Sequence, residues 1–217
     1  RNIILAQLLC FLSVRGKPGD HSFQAGWMAK LLWLTDIHLN FLGKPGIKEF
    51  LAEVLQESPD AVLLGGDIGE ARSLISYLQL LDGLQVPVYF VLGNHDFYGA
   101  SIDWVRGEVS RFCGRSENLV WLSCRDRPVH IGATALVGHD GWADGRMGDF
   151  FGSGVRISDY SLIGDFIGRT TDERKGTLAR LGDEAAGAIG RTLSAVPDRI
   201  SDILVLTHVP PFREACW

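Results

Sequence analysis

Four short clusters of metal-capable side chains punctuate the chain: Asp36-Ile37-His38, Gly66-Asp67, Gly93-Asn94-His95-Asp96 and Thr207-His208. Carboxylate and amide oxygens mixed with imidazole nitrogens, with no thiolate among them, suit Mn, Fe or Zn. On an extended segment, residues i and i+2 face the same way, so Asp36 and His38 are expected to reach one ion together. A carboxylate lying between two ions can bridge them, and Asp67 is placed for that role. A pair of cations can bind a phosphate oxygen, activate water and offset charge during an in-line displacement. Taken singly, each cluster has an ordinary reading. Asp36 suits a helix N-cap and Asp67, after two glycines, a turn. Asn94 suits a left-handed loop position, and His208 the end of a strand before Pro210-Pro211. The ordered set of all four argues for one shared site.

Something must hold each cluster in place. Every one follows a short apolar run, at residues 30–35, 61–64, 86–92 and 203–206, which reads as a buried strand. Between the runs lie helical patterns at 47–56, 73–81, 102–112 and 171–196. In the first, Ile47, Phe50, Leu51, Val54 and Leu55 share a face; in the last, Leu178, Leu181, Ala185, Ile189 and Leu193 do. Asp36 and Asp67 are 31 residues apart, and Asp67 and Asn94 are 27 apart, each about one βαβ unit. Alternating strands and helices predict an α/β fold with a largely parallel sheet covered on both faces. In such sheets ligands bind beyond the carboxyl ends of the strands, where these clusters fall. Short strand patterns at 119–122, 128–131 and 134–137 suggest a second sheet.

With these residues in order, the chain resembles the calcineurin-like metallophosphoesterases. That family's signature runs D-x-H, G-D-x-x-D, G-N-H-D/E, a His after a late strand, and G-H-x-H. The match covers roughly residue 28 to the C-terminus. The resemblance implies a four-layer αββα sandwich of two mixed sheets flanked by helices, with two divalent ions (Mn, Fe or Zn). It implies that Asp36 and His38 bind one metal, Asp67 bridges, and Asn94 and His208 bind the other. His95 would serve as the catalytic proton donor or transition-state stabiliser, with Asp96 orienting it. The expected activity is hydrolysis of a phosphomono- or phosphodiester by attack of a metal-bound hydroxide. The rival expectation is a catalytically inactive scaffold of the same fold. Two departures stand out. Glu70 replaces the last Asp of the second motif, away from the bridging position. No G-H-x-H follows His208 before Trp217. The expectation is a chain cut before its last strands or a naturally incomplete relative, with weak metal binding and poor catalysis as a consequence.

Substrate clues lie between the last two strands. The segment from Val137 to Arg146 mixes aromatic, acidic and basic groups, and with Ile157-Ser158-Asp159-Tyr160 it resembles the substrate-side insertion of soluble bacterial metallophosphoesterases; His139, Trp142 and Arg146 are candidates to contact the organic part of a phosphoester. Their alternative is a packed Trp in a charged turn. The second motif carries no Arg at Ile68-Gly69-Glu70-Ala71, unlike the phosphoprotein-phosphatase branch. With 21 Lys and Arg against 26 Asp and Glu, the formal net charge is −5, which argues against coating nucleic acid by bulk positive charge.

Residues 1–27 are read as an extension outside the fold, and 28–217 as the catalytic domain. The apolar run 3–14 is too short to span a bilayer. A cytoplasmic protein is expected, or an exported one if 1–27 is a leader. Cys10, Cys113, Cys124 and Cys216 have no metal or disulfide spacing and are expected to be free, mostly buried thiols.

Overall fold

Strand residues that are apolar at every position need cover on both faces, and this chain supplies it. The structure is a computed structural model that describes residues 10–15, 28–200 and 202–212. The expectations for the remainder of the 1–27 stretch, and for Cys216 and Trp217, lie outside the described residues. The first sheet has the order β1-β2-β3-β4-β5, formed by Cys10–Arg15, Met28–Leu34, Ala61–Leu64, Val88–Phe90 and Leu119–Trp121. Strands β2 to β5 are parallel, and β1 pairs antiparallel with β2 at the edge. Strand β1 falls within the stretch read as an extension, and it joins the sheet. The second sheet holds β6 (Val129–Ile131), β7 (Thr134–His139) and β8 (Asp202–Thr207) in that order, with β6 antiparallel and β8 parallel to β7.

Alternation along each strand sorts its side chains. Leu32, Leu34, Val62, Leu64, Val88 and Phe90 join one core with the helices α1 (Lys44–Gln56), α2 (Ala71–Asp82) and α3 (Ile102–Cys113). Ala29, Leu31, Ala61 and Leu63 instead meet Ile131, Leu136 and Leu206 from the second sheet. Each such large apolar side chain contributes about 1.5–3 kcal/mol by leaving water. The long helix α5 (Thr171–Ser194) packs against β7 on the far side. The result is the expected four-layer arrangement of two mixed sheets flanked by helices. No helix among the described residues is long and apolar enough to cross a membrane.

Several local readings shift. Helix α1 begins at Lys44, so Pro45 lies in its first turn, where its missing N–H costs nothing. Leu55 of the α1 pattern points outward, 47% exposed. On α5, Thr192 is buried, while Ile189 and Leu193 are only half-buried. A four-residue helix, α4 (Asp159–Leu162), has no periodic signature in so short a span. Among the described cysteines, Cys113 is half-buried and Cys124 exposed, and both are free. Burial pushes the Cys113 thiol up to about 12.

Strand register decides where the chemistry sits. Leu34 pairs with Leu64, and Leu64 with Phe90, so β2, β3 and β4 end level. In the other sheet His139 pairs with Thr207. The loops leaving these carboxyl ends carry every cluster singled out in the sequence.

Candidate metal centre

Asp67 is the hub. Its side chain is buried, and three imidazoles aim Nε2 at its carboxylate. His38 lies 3.6 Å and His95 3.9 Å from Oδ2, and His208 lies 3.6 Å from Oδ1. These distances are too long for hydrogen bonds. They are close to the separation of two ligand atoms on one cation, roughly 3.4 Å for bonds of about 2.1 Å at a tetrahedral angle. The donor atoms fall into two overlapping groups within 4.8 Å, His38-Asp67-His95 and Asp36-Asp67-His208. Asp67 belongs to both, as a bridge must. Asp36 groups with His208 rather than with His38. Asn94 Oδ1 lies 3.2 Å from His208 Nε2, so the amide oxygen joins the second group. His208 is aimed by its other nitrogen, 2.8 Å from the Gly65 carbonyl.

The donor set fits divalent cations of the Mn, Fe or Zn kind: oxygen and imidazole nitrogen around one shared carboxylate. Burial pushes His38 below its ordinary pKa, with Asp67 opposing, which favours the neutral ring that a metal needs. Its buried Nδ1 has no hydrogen-bond partner, an orphan consistent with a site built for something besides protein contacts.

The backbone here is strained. Asp36, His38 and Asp67 all adopt positive φ, at 52°, 39° and 53°. The expectation that Asp36 and His38 share a face of an extended segment is therefore corrected: both are left-handed, and Ile37 between them is buried. Such conformations cost of order 1–3 kcal/mol each and persist where the surroundings enforce them. The enforcement is visible. Asp36 N donates to Gly66 O (3.1 Å), His38 N to Asp67 O (2.9 Å) and Leu39 N to Ile68 O (2.9 Å), lacing the first two loops together. Gly66, at φ 96°, lies so close to the third loop that a Cβ would sit 2.5 Å from Gly93 N.

Asp96 is fully buried and accepts from the backbone N–H groups of Ile68, Gly69 and Gly93 at 2.8–2.9 Å. Its bonds hold the Asp67 and Asn94 loops together; they do not go to the His95 ring. Burial, with Asp67 close by, pushes its carboxyl up to about 7. The His95 ring is steered instead by Tyr98, stacked at 4.3 Å between centroids, and keeps 31% of its side chain exposed. Glu70 is exposed and accepts from Asn40 Nδ2 at 3.3 Å.

Two residues missed in the sequence support the site. Asp140, buried at the end of β7, accepts from Leu92 N (2.7 Å), Trp121 Nε1 (2.9 Å) and Ser123 Oγ (2.6 Å). Its position directly after a strand end, like that of the other clusters, is the sequence signal for it. His139 is buried, and its Nδ1 accepts from Gly141 N, so it serves the turn. Asp140→Ala would strand three buried donors and is expected to lower stability by on the order of 3 kcal/mol, read from the urea midpoint. The second, Asp159, lies in the 157–160 segment expected on the substrate side, but its bonds to the centre had no sequence signal.

Beside Asn94 and His208 opens a cleft of about 580 Å³ walled by Tyr98, Trp142, Phe150 and Tyr160, with Arg156 at its side. Trp142 is thus on the cleft, packed 5.5 Å from the Phe97 ring. Arg146 is not: it pairs with Asp144 (3.1 Å) and Asp183 (2.7 Å) at the surface.

The chain matches the calcineurin-like phosphoesterase family over residues 29–217. It is also 31% identical over 81 residues to a probable cyclic nucleotide phosphodiesterase of Pseudoalteromonas sp. (strain SM9913), a match covering 31% of each chain. The aligned stretch spans about a third of that relative's length.

Proposed function

Because this chain belongs to the calcineurin-like phosphoesterase family, we propose that it hydrolyses a phosphodiester with a planar aromatic organic part, using two divalent cations gathered around Asp67. The observation that carries this reading is the buried Asp67 carboxylate facing three imidazole Nε2 atoms at 3.6–3.9 Å. The relative named as a cyclic nucleotide phosphodiesterase supports the diester, and the aromatic walls of the cleft support the planar group.

Asp36, His38, Asp67, Asn94 and His208 would hold the cations. When bound, such ions supply Lewis acidity toward the phosphoryl oxygens and lower the pKa of water. The remaining work falls to the protein. His95, partly exposed and backed by Tyr98, is placed to give a proton to the departing oxygen. Trp142, Phe150 and Tyr160 offer faces on which a flat base can stack, and Arg156 offers a cation to a phosphate oxygen. Asp96 fixes the spacing of the two ligand loops. Burying a carboxylate among three imidazoles is costly unless something uses it, which favours the enzyme over an inert scaffold.

Hydrolysis of bis(p-nitrophenyl) phosphate tests the reading. Activity is expected with added Mn, to vanish on chelation and to return when Mn is restored. His95→Ala is expected to lower kcat by about 10²–10⁴-fold while Mn stays bound through Asp36, His38, Asp67, Asn94 and His208; loss of Mn would place His95 among the ligands instead. Chelator-resistant hydrolysis, or an unaffected His95→Ala variant, would refute the assignment.

A further inference from the structure

One oxygen of Asp159 gathers two groups of the site. Asn94 Nδ2 donates to Asp159 Oδ1 at 2.8 Å, and Tyr98 Oη donates to the same atom at 2.7 Å. The carboxylate is 7% exposed, so both bonds form largely out of water. Each partner has a second task. With its NH2 held by Asp159 and, more loosely, by Tyr98 Oη at 3.2 Å, Asn94 can only turn Oδ1 the other way, toward His208 Nε2 at 3.2 Å. With its hydroxyl held, Tyr98 keeps its ring under His95, 29° from parallel.

Asp159 belongs to α4, which follows the cleft-lining residues Arg156, Ile157 and Ser158. That short helix is fastened to the segment after His95. Gly99 N donates to Leu162 O, and Gly164 N to Ala100 O, each at 2.8 Å. Ile102 N donates to Asp165 Oδ2, also at 2.8 Å. The link from cleft to metal centre is therefore continuous in hydrogen bonds, though only its Asp159 end is buried.

We infer that Asp159 is a positioning residue: it sets the orientation of the Asn94 amide, and through Tyr98 the attitude of His95. It couples the cleft wall to a metal ligand and to the proton donor at once. The inference rests on the metal-dependent reading above for its consequences in Mn binding, though the amide orientation itself needs no metal. An amide free to rotate presents NH2 to the cation for part of the time, and NH2 is not a ligand. Residues that orient ligands in this way are worth about 10–100-fold in metal affinity or activity.

The test uses the full chain and its Asp159→Ala, Asp159→Asn and Tyr98→Phe variants. Mn binding is titrated by following the electron paramagnetic resonance signal of the free ion. The side-chain NH2 protons of Asn94 are followed by NMR in the metal-free protein. Asp159→Ala is expected to weaken one of two Mn sites by about 10–100-fold and to speed solvent exchange of the Asn94 NH2. Asp159→Asn keeps an acceptor oxygen and is expected to recover most of both. Tyr98→Phe is expected to lower kcat and to weaken Mn binding less than Asp159→Ala, since the shorter Asn94–Asp159 bond remains. Wild-type Mn affinity and NH2 protection in Asp159→Ala would overturn the inference. So would equal losses in Asp159→Ala and Asp159→Asn that track a fall in melting temperature. A wild-type chain that binds no Mn sinks the parent reading instead, and the NH2 protons still decide the orientation claim.

Discussion

Asp67→Asn is expected to lower phosphodiester turnover by on the order of 10³-fold or more, about 4 kcal/mol of barrier, and to abolish the second Mn site. The change is small in volume and keeps an oxygen. It removes the negative charge and replaces one of the two equivalent oxygens with an NH2. Both matter here because Oδ1 faces His208 while Oδ2 faces His38 and His95. A neutral amide oxygen is a far weaker ligand to share between two cations than a carboxylate. The variant is expected to fold. The backbone of Asp67 still accepts from His38 N, and an Asn tolerates the left-handed φ of 53° better than most residues. Circular dichroism, Mn titration and turnover of the same preparation check it. Retained binding of two Mn ions with full turnover would show that the carboxylate does not bridge.

Gly93→Ala should damage the same centre from the backbone side. A Cβ at residue 93 would lie 2.1 Å from Asp67 Oδ1 and 2.6 Å from Asp67 N. The carboxylate cannot give way cheaply, because Oδ1 accepts from His95 N at 3.0 Å. The loop cannot retreat either, since Gly93 N is held by Asp96 at 2.8 Å. The expected cost is about 1–3 kcal/mol of folding stability, the usual range for overpacking a rigid site. A loss of Mn affinity larger than that seen for Gly148→Ala should accompany it. Gly148 has open space around its Cβ position, but its φ of 83° makes that control mildly strained itself. Urea denaturation and Mn titration of both variants measure the difference.

Much of the fold could be read before any coordinates, because the parallel strands leave no doubt in composition. A run such as Ala61-Val62-Leu63-Leu64 is apolar on both faces only where both faces are covered, and here one core holds Val62 and Leu64 and the other Ala61 and Leu63. The candidate ligand residues were legible because each comes soon after such a run. Their pairing was not. The grouping of Asp36 with His208, and of His38 with His95, depends on left-handed backbone at Asp36 and His38. Nothing in the residues Asp-Ile-His announces that conformation. The resemblance led to the expectation that Asp96 orients His95, whereas its oxygens reach amides 27 and 28 residues away. Asp159 lay in a segment read only for its substrate-side resemblance; its bonds to groups 61 and 65 residues off, made from a helix too short to have a period, were not legible.

The lacing of the first loops by Asp36 N, His38 N and Leu39 N, and of the second and third by Asp96, has a practical corollary. Those loops form a single mechanical unit, so randomising them one at a time returns little besides the parent. The stretch from 151 to 158 is exposed throughout and touches the cleft at Arg156 and Ile157. Anyone hoping to evolve this scaffold toward another phosphoester should seed diversity there, and leave the knot alone.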